Sequence, residues 1–367
     1  MTTVTFLLSK DPDTTHGGDL TLSRLLVRLA MSSATVRRIC LSATPSTADA
    51  TMTRVYKPSV NPAKIVMRSM RSGHSLVHTR FDVDELVPAL ESSESDVYVA
   101  DHSYMAEPFL RSQLAASSAR LLVNTVISES TVWHATRGIV GRIDTPRIRR
   151  DELRVARAAH SVGTYDADEV DDYHREGIER VHWLDLTLPP ATQVKVDATS
   201  PRLVFLGDRT WPPNDEAFRL LLQWWPFIAD GVPDAELYVV GKRGSGRQPE
   251  LPEDVFDLGF ADDLDGLLGS SRALVAPILT GGGVRVKILD AASRGLPIIS
   301  TSVGVGSLSS VFGIDTYDTR EEFVARARTL LLDKRSAVAE GNRLFAANTE
   351  RWLTGAPQRT VEKWLRS

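Results

Sequence analysis

The apolar run Ala273–Leu279 empties into three consecutive glycines, Gly281, Gly282 and Gly283, and a helix-forming stretch begins at once with Val284. Glycine carries no Cβ, so backbone N–H groups in such a loop can come close to a ligand. As an ordinary turn, three in a row only add conformational entropy for folding to overcome. The unpaired N–H groups and the dipole of the following helix favour an anion. Lys287 falls in the first turn and offers a mobile positive charge suited to phosphate. Asp290, three residues later, shares its face and suits ribose hydroxyls. No Gly-Lys-Ser/Thr follows the strand, which excludes a P-loop, and the third glycine of a dinucleotide fingerprint is missing.

The surrounding sequence reads as α/β. Leu203–Leu206, Glu236–Val240, Val255–Leu258, Ala273–Leu279 and Ile298–Thr301 are predicted strands. Asn214 is placed to cap a helix with Ala217, Leu220, Leu221 and Trp224 on one face, and a second helix runs from about Val284 to Arg294. The N-terminal half alternates in the same way, with strands at Val4–Leu8, Val36–Leu41, Asp96–Ala100, Leu121–Val126 and Ser161–Tyr165. Strands alternating with helices imply parallel sheets covered on both faces. A chain of 367 residues is about long enough for two such domains. The proline-bearing stretch Leu186–Pro201 is the predicted linker. The expected domains are 1–190 and 200–350, with 351–367 a helix returning to the first.

A net charge of −4 argues against nucleic-acid binding. The single cysteine, Cys40, excludes a disulfide framework and fits a cytoplasmic setting. No run of 18 apolar residues is present, and Val4–Leu8 reads as a first strand rather than a signal peptide. One segment is locally basic: Arg54, Lys57, Lys64, Arg68, Arg71 and Arg80 occur with no acid between Thr51 and Arg80. A helix over Ala63–Arg71 would set Lys64, Arg68 and Arg71 against Ala63, Val66, Met67 and Met70. Such a helix suits peripheral contact with the inner face of an anionic membrane, or an anionic acceptor, or packs on its own domain.

The block Val204-Phe205-Leu206-Gly207, Trp211-Pro212-Pro213-Asn214, Val239-Val240-Gly241, Leu258-Gly259-Phe260, Gly281–Ala291 and Gly295-Leu296-Pro297 resembles the donor domain of retaining GT-B glycosyltransferases. These belong to the clan of phosphatidylinositol mannosyltransferases and sucrose synthases. The resemblance implies two Rossmann-like domains with parallel sheets facing a central cleft, and a nucleotide diphosphate sugar bound mainly by the second. It implies Lys287 and Arg209 on the diphosphate, Asp290 on the ribose, and the backbone of Gly207, Gly259 and Phe260 near the nucleotide. It also implies Gly281, Gly282, Gly283 and Val284 around the phosphates, and the Gly17-Gly18 loop facing donor and acceptor. His102, after the strand Asp96–Ala100, matches a histidine that relatives hold near the sugar. Glu129 persists from a His-Asn-x-Glu motif whose histidine is Val126 here, and Gly282 stands where many relatives carry an acid.

The expected activity is retaining hexosyl transfer to an acceptor hydroxyl (of a glycan, lipid or small molecule) with no cofactor and no metal. The leaving diphosphate would be stabilised by Lys287, Arg209 and the helix N-terminus. Asp166-Ala167-Asp168 and Asp262-Asp263 read as helix caps rather than metal ligands. Two other readings stay open: a nucleotide-sugar epimerase of the same architecture, and a non-catalytic homologue that binds nucleotide beside a true transferase.

Overall fold

The computed structural model describes residues 2–14, 18–45, 51–244, 246, 248–261, 263–281 and 285–367. Gly17, Gly282, Gly283 and Val284 therefore lie outside the described residues, as does Asp262. The chain divides into two compact units, Met1–Leu186 with Pro357–Ser367, and Thr187–Gly281 with Arg285–Ala356.

The first unit holds a seven-stranded parallel sheet. Its strands are β1 (Thr3–Leu8), β2 (Thr35–Ser42), β3 (Met52–Tyr56), β4 (Val97–Asp101), β5 (Arg120–Thr125), β6 (Ser161–Thr164) and β7 (Val181–Trp183), in spatial order β3-β2-β1-β4-β5-β6-β7. Val4 aligns with Val36 of β2 on one side and Val97 of β4 on the other. β4 is buried throughout, as expected of a central parallel strand covered on both faces. The helix Ala356–Arg366 belongs to this unit and buries Trp364 against β6. The approach is close enough that a Cβ on Gly163 would lie 2.9 Å from the indole.

The second unit holds β8 (Arg202–Leu206), β9 (Glu236–Val240), β10 (Val255–Gly259), β11 (Ala273–Ala276) and β12 (Ile298–Ser300), all parallel, in order β10-β9-β8-β11-β12. Strand order reverses between β1 and β4 in one sheet and between β8 and β11 in the other. Ligands of open parallel sheets bind at the carboxyl ends of strands flanking such a switch point.

Several local readings change. The helix expected from Asn214 begins at Pro212, because Trp211 takes the cap position and proline is preorganised for the first turn. β11 stops at Ala276 since Pro277 cannot donate to the ladder, and the next helix spans Val286–Ser293. The boundary between the units falls at Leu186–Thr187, and the stretch Leu186–Pro201 is partly packed on the second unit. Ala191 and Val194 donate backbone bonds to Ser293 and Arg294 at 3.0 and 2.9 Å, and Val194 and Val196 are buried.

Candidate active site

The loops after β8, β9 and β10 are stitched together by their backbones. Gly207 N donates to Val240 O at 2.9 Å, Arg209 N to Lys242 O at 2.8 Å, and Gly241 N to Gly259 O at 2.7 Å. Gly241 has φ +129°, and a Cβ there would fall 2.1 Å from Gly207 O. Gly207 is closed in by Asn214, whose Cγ would meet a Cβ at 2.8 Å. Glycine at 207 and 241 is thus demanded by contact between protein segments.

Asn214 links the two loops of the switch point. Its Nδ2 donates to Asp208 O at 3.0 Å, and its Oδ1 accepts from Lys287 Nζ at 3.0 Å. The ammonium also lies 5.4 Å from the centre of the Phe205 ring. Burial, and then the neighbouring positive charge of Arg285, lower the Lys287 pKa to about 8. Arg285, just ahead of the helix, donates through Nε to Val303 O at 2.9 Å. In the sequence Arg285 is signalled only by its place two residues before Lys287. Asn214 was read only as a cap.

Arg209 lies apart from this group. Its side chain has no exposed surface, and its two terminal nitrogens hold Asp257 at 2.9 and 2.7 Å. One of them also donates to Gly241 O at 3.2 Å, and the guanidinium stacks over Phe218. Arg209 therefore ties β10 to the β8 and β9 loops, with its charge already answered. The Asp257 carboxyl stays below its ordinary pKa because bonds from Arg209 and the Gly259 amide, with Arg243 nearby, outweigh its burial. Asp290 shares the helix with Lys287 but turns to Arg294, which bonds its Oδ1 at 3.0 Å and reaches Asp265 at 2.9 Å. Gly259 closes β10 with φ +64°, and the Phe260 ring is 81% exposed. Gly281 has φ +113°.

In the first unit His102 follows β4 at the switch point, and Gly18 opens the helix Gly18–Ala30. His102 adopts φ +77°, a strained value for a residue with a side chain. Its amide donates to Asn124 O at 2.8 Å, its ring stacks on Tyr104 at 4.9 Å, and its Nδ1 lies 3.7 Å from Glu129 Oε1. Glu129 is pushed up to about 8, first by burial and then by Glu152, whose carboxylate accepts from the Glu129 and Ser130 amides and the Ser130 hydroxyl. Glu152 was not anticipated. Asp166 and Asp263 serve as caps, accepting from Asp168 N and Gly266 N.

Residues 200–333 match the family model described as Glycosyl transferases group 1. The match falls within the second unit. The fold of the whole chain is GT-B, as three solved structures show. A sucrose-phosphate synthase from Thermosynechococcus elongatus superposes with a TM-score of 0.73 at 16% identity, covering 99% of this chain and 98% of that one. HepE of Anabaena, solved with UDP and glucose, gives 0.69 at 13% over the full length of both. WaaG, a glycosyltransferase involved in lipopolysaccharide biosynthesis, gives 0.64 at 13%, covering 98% and 99%. TarM of S. aureus, at a TM-score of 0.62 and 13% identity, is a longer protein of which this chain spans 58%. In sequence, an uncharacterized 44.6 kDa protein in the cps region of Klebsiella pneumoniae is 26% identical over 141 residues, 33% of this chain and 35% of that protein. The matched stretch holds both Lys287 and Arg209.

Proposed function

We propose that the chain is a retaining, metal-independent glycosyltransferase moving a hexosyl unit from a nucleotide diphosphate sugar to an acceptor hydroxyl. The observation that carries this reading is the Lys287 ammonium, held by Asn214 over Phe205 at the switch point, with Arg285 close enough to lower its pKa. The positive charge of Arg285 lowers the Lys287 pKa, and a diphosphate bound beside Lys287 would offset that repulsion. When the bond from the anomeric carbon to the diphosphate oxygen breaks, charge grows on the leaving group and Lys287 and Arg285 stabilise it. The acceptor oxygen bonds to the same face of that carbon, and its proton passes to the departing diphosphate.

The supporting parts follow their geometry. Asp290 Oδ1 is taken by Arg294, which leaves Oδ2 for the ribose. The exposed Phe260 ring offers a stacking face to the base. His102 is the proposed contact for the transferred sugar, and Arg209 acts as a brace. UDP is the first nucleotide to test, since HepE is solved with it.

The test is to incubate the chain with UDP-, GDP-, ADP- and dTDP-hexoses and a panel of hydroxylated acceptors, reading product anomers by NMR. The expected product keeps the donor's anomeric configuration, Lys287→Ala abolishes it, and His102→Ala lowers kcat with little effect on donor affinity. An inverted product overturns retention, and loss of activity on chelation overturns metal independence. A second reading, nucleotide binding without transfer, draws on Asp290 and Arg209 being paired within the fold. Thermal stabilisation by UDP with no sugar consumed would establish it.

A further inference from the structure

In the helix Pro62–Ser72 the buried residue is Ser69, while Val66, Met67 and Met70 are 45%, 48% and 77% exposed. The apolar face thus points to solvent rather than packing on its own domain. A second helix of the same unit, Gly138–Ala158, exposes Ile139, Val140 and Ile143 by 76%, 57% and 72%. Large apolar residues singly exposed need no explanation; two helices each exposing three of them do.

The two strips start from one junction. Arg147 donates to Ser69 O at 3.1 Å and to Ser69 Oγ at 2.8 Å. Asp144 and Asp151 accept from the amides of Leu76 and Ser75, just past the first helix. Ile143, Val140 and Ile139 stand four, seven and eight residues before Arg147, on its face of the long helix. Met70 adjoins Ser69, and Met67 and Val66 lie one turn back.

Charge selects the occupant. The first helix has no acid, and the three acids of the second, Asp144, Asp151 and Glu152, are at most 3% exposed. Lys64, Arg71 and Arg142 pair with no carboxylate among the described residues. The exposed charge of both helices is therefore positive, on a chain whose net charge is −4. The six apolar side chains carry no hydrogen-bonding group, which suits acyl chains, and the surrounding cations suit lipid phosphates.

We propose that the surface formed by Val66, Met67, Met70, Ile139, Val140 and Ile143, rimmed by Lys64, Arg71 and Arg142, docks the chain on an anionic lipid bilayer. It lies in the plane of the interface; no helix among the described residues is long and apolar enough to cross a membrane. The proposal does not depend on the transferase reading.

Cosedimentation with vesicles of phosphatidylcholine, or of phosphatidylcholine with phosphatidylglycerol, tests it on the whole chain at low and high salt. Binding is expected to the anionic vesicles alone and to fall in high salt. Lys64→Glu/Arg71→Glu/Arg142→Glu should weaken it by about a hundredfold or more. Met70→Ser/Ile143→Ser should weaken it severalfold, with circular dichroism and Tm unchanged in both variants. Equal pelleting with both vesicle types, no pelleting, or variants that bind like the parent would each overturn the proposal. So would a dimer seen by light scattering and lost in Met70→Ser/Ile143→Ser, which would give the face to a second copy.

Discussion

Lys287 Nζ and Asn214 Oδ1 meet at 3.0 Å, joining the helix after β11 to the helix after β8. The lysine is therefore positioned before any ligand arrives, but by a neutral partner, and among the described residues no carboxylate pairs with it. A Lys287 pKa of about 8 in the free protein makes diphosphate binding depend on pH. Affinity for UDP should be flat below about pH 8 and weaken above it, by up to about tenfold per unit. Asn214→Asp puts a carboxylate beside the ammonium and should move the break to higher pH. Lys287→Met should cost roughly 10- to 100-fold in UDP affinity and leave uridine affinity unchanged. Calorimetric titration from pH 6 to 10 measures all three, and a pH-independent affinity would remove Lys287 from the diphosphate.

Arg209 and Asp257 make the opposite kind of pair, closed within the fold. Asp257→Ala strands the buried Arg209 charge and should destabilise by about 3–5 kcal/mol, whereas after Arg209→Ala the Asp257 carboxylate keeps Arg243 at 3.0 Å and the loss should be smaller. Replacing both with apolar residues of similar volume should recover much of the loss. Chemical denaturation reads the stabilities. An Arg209→Ala chain with parental stability but no UDP binding would return Arg209 to the ligand.

The contact of Gly241 with Gly207 O predicts a backbone-limited site. Gly241→Ala must relieve both an unfavourable φ and a 2.1 Å approach, at roughly 2–5 kcal/mol. The strand end would have to shift, so UDP affinity should fall along with Tm. A variant with unchanged Tm would show that the loop has room to spare.

Legibility followed the range of the interactions. The second domain was readable because its buried parallel strands are short apolar runs, mostly ended by glycine, and the Gly281–Lys287 pattern is local. β3 escaped notice because only Met52 and Val55 of Met-Thr-Arg-Val-Tyr are buried, and β7 because it has three residues. The helix Gly138–Ala158 was hidden by its arginines, by Pro146 and by apolar residues on its exposed side. The pairing of Arg209 with Asp257, 48 residues away, is invisible in one sequence. Glu152 was hidden in the same way, 23 residues from Glu129.

The pair Glu129 and Glu152 gives the first unit its own response to pH. Glu129 is raised from 4.5 to about 8, and it faces His102 from the β4 loop, Lys10 from the β1 loop, Arg137 and Trp133 from its own helix and the turn after it, and Glu152 from the long helix. A carboxyl whose folded pKa lies above its unfolded value keeps its proton in the native state and releases it on unfolding. Native stability should then decline as pH climbs from about 4.5 to about 8, by at most ~1.4 kcal/mol per unit, and level off beyond. Glutamine imitates the protonated form, so Glu129→Gln should match the parent near pH 4.5 and exceed it in Tm by a margin that widens up to about pH 8. Melting curves across that range decide the matter. A constant offset would mean that the Glu129 carboxyl is ionised throughout and that its charge is met by Lys10 and Arg137.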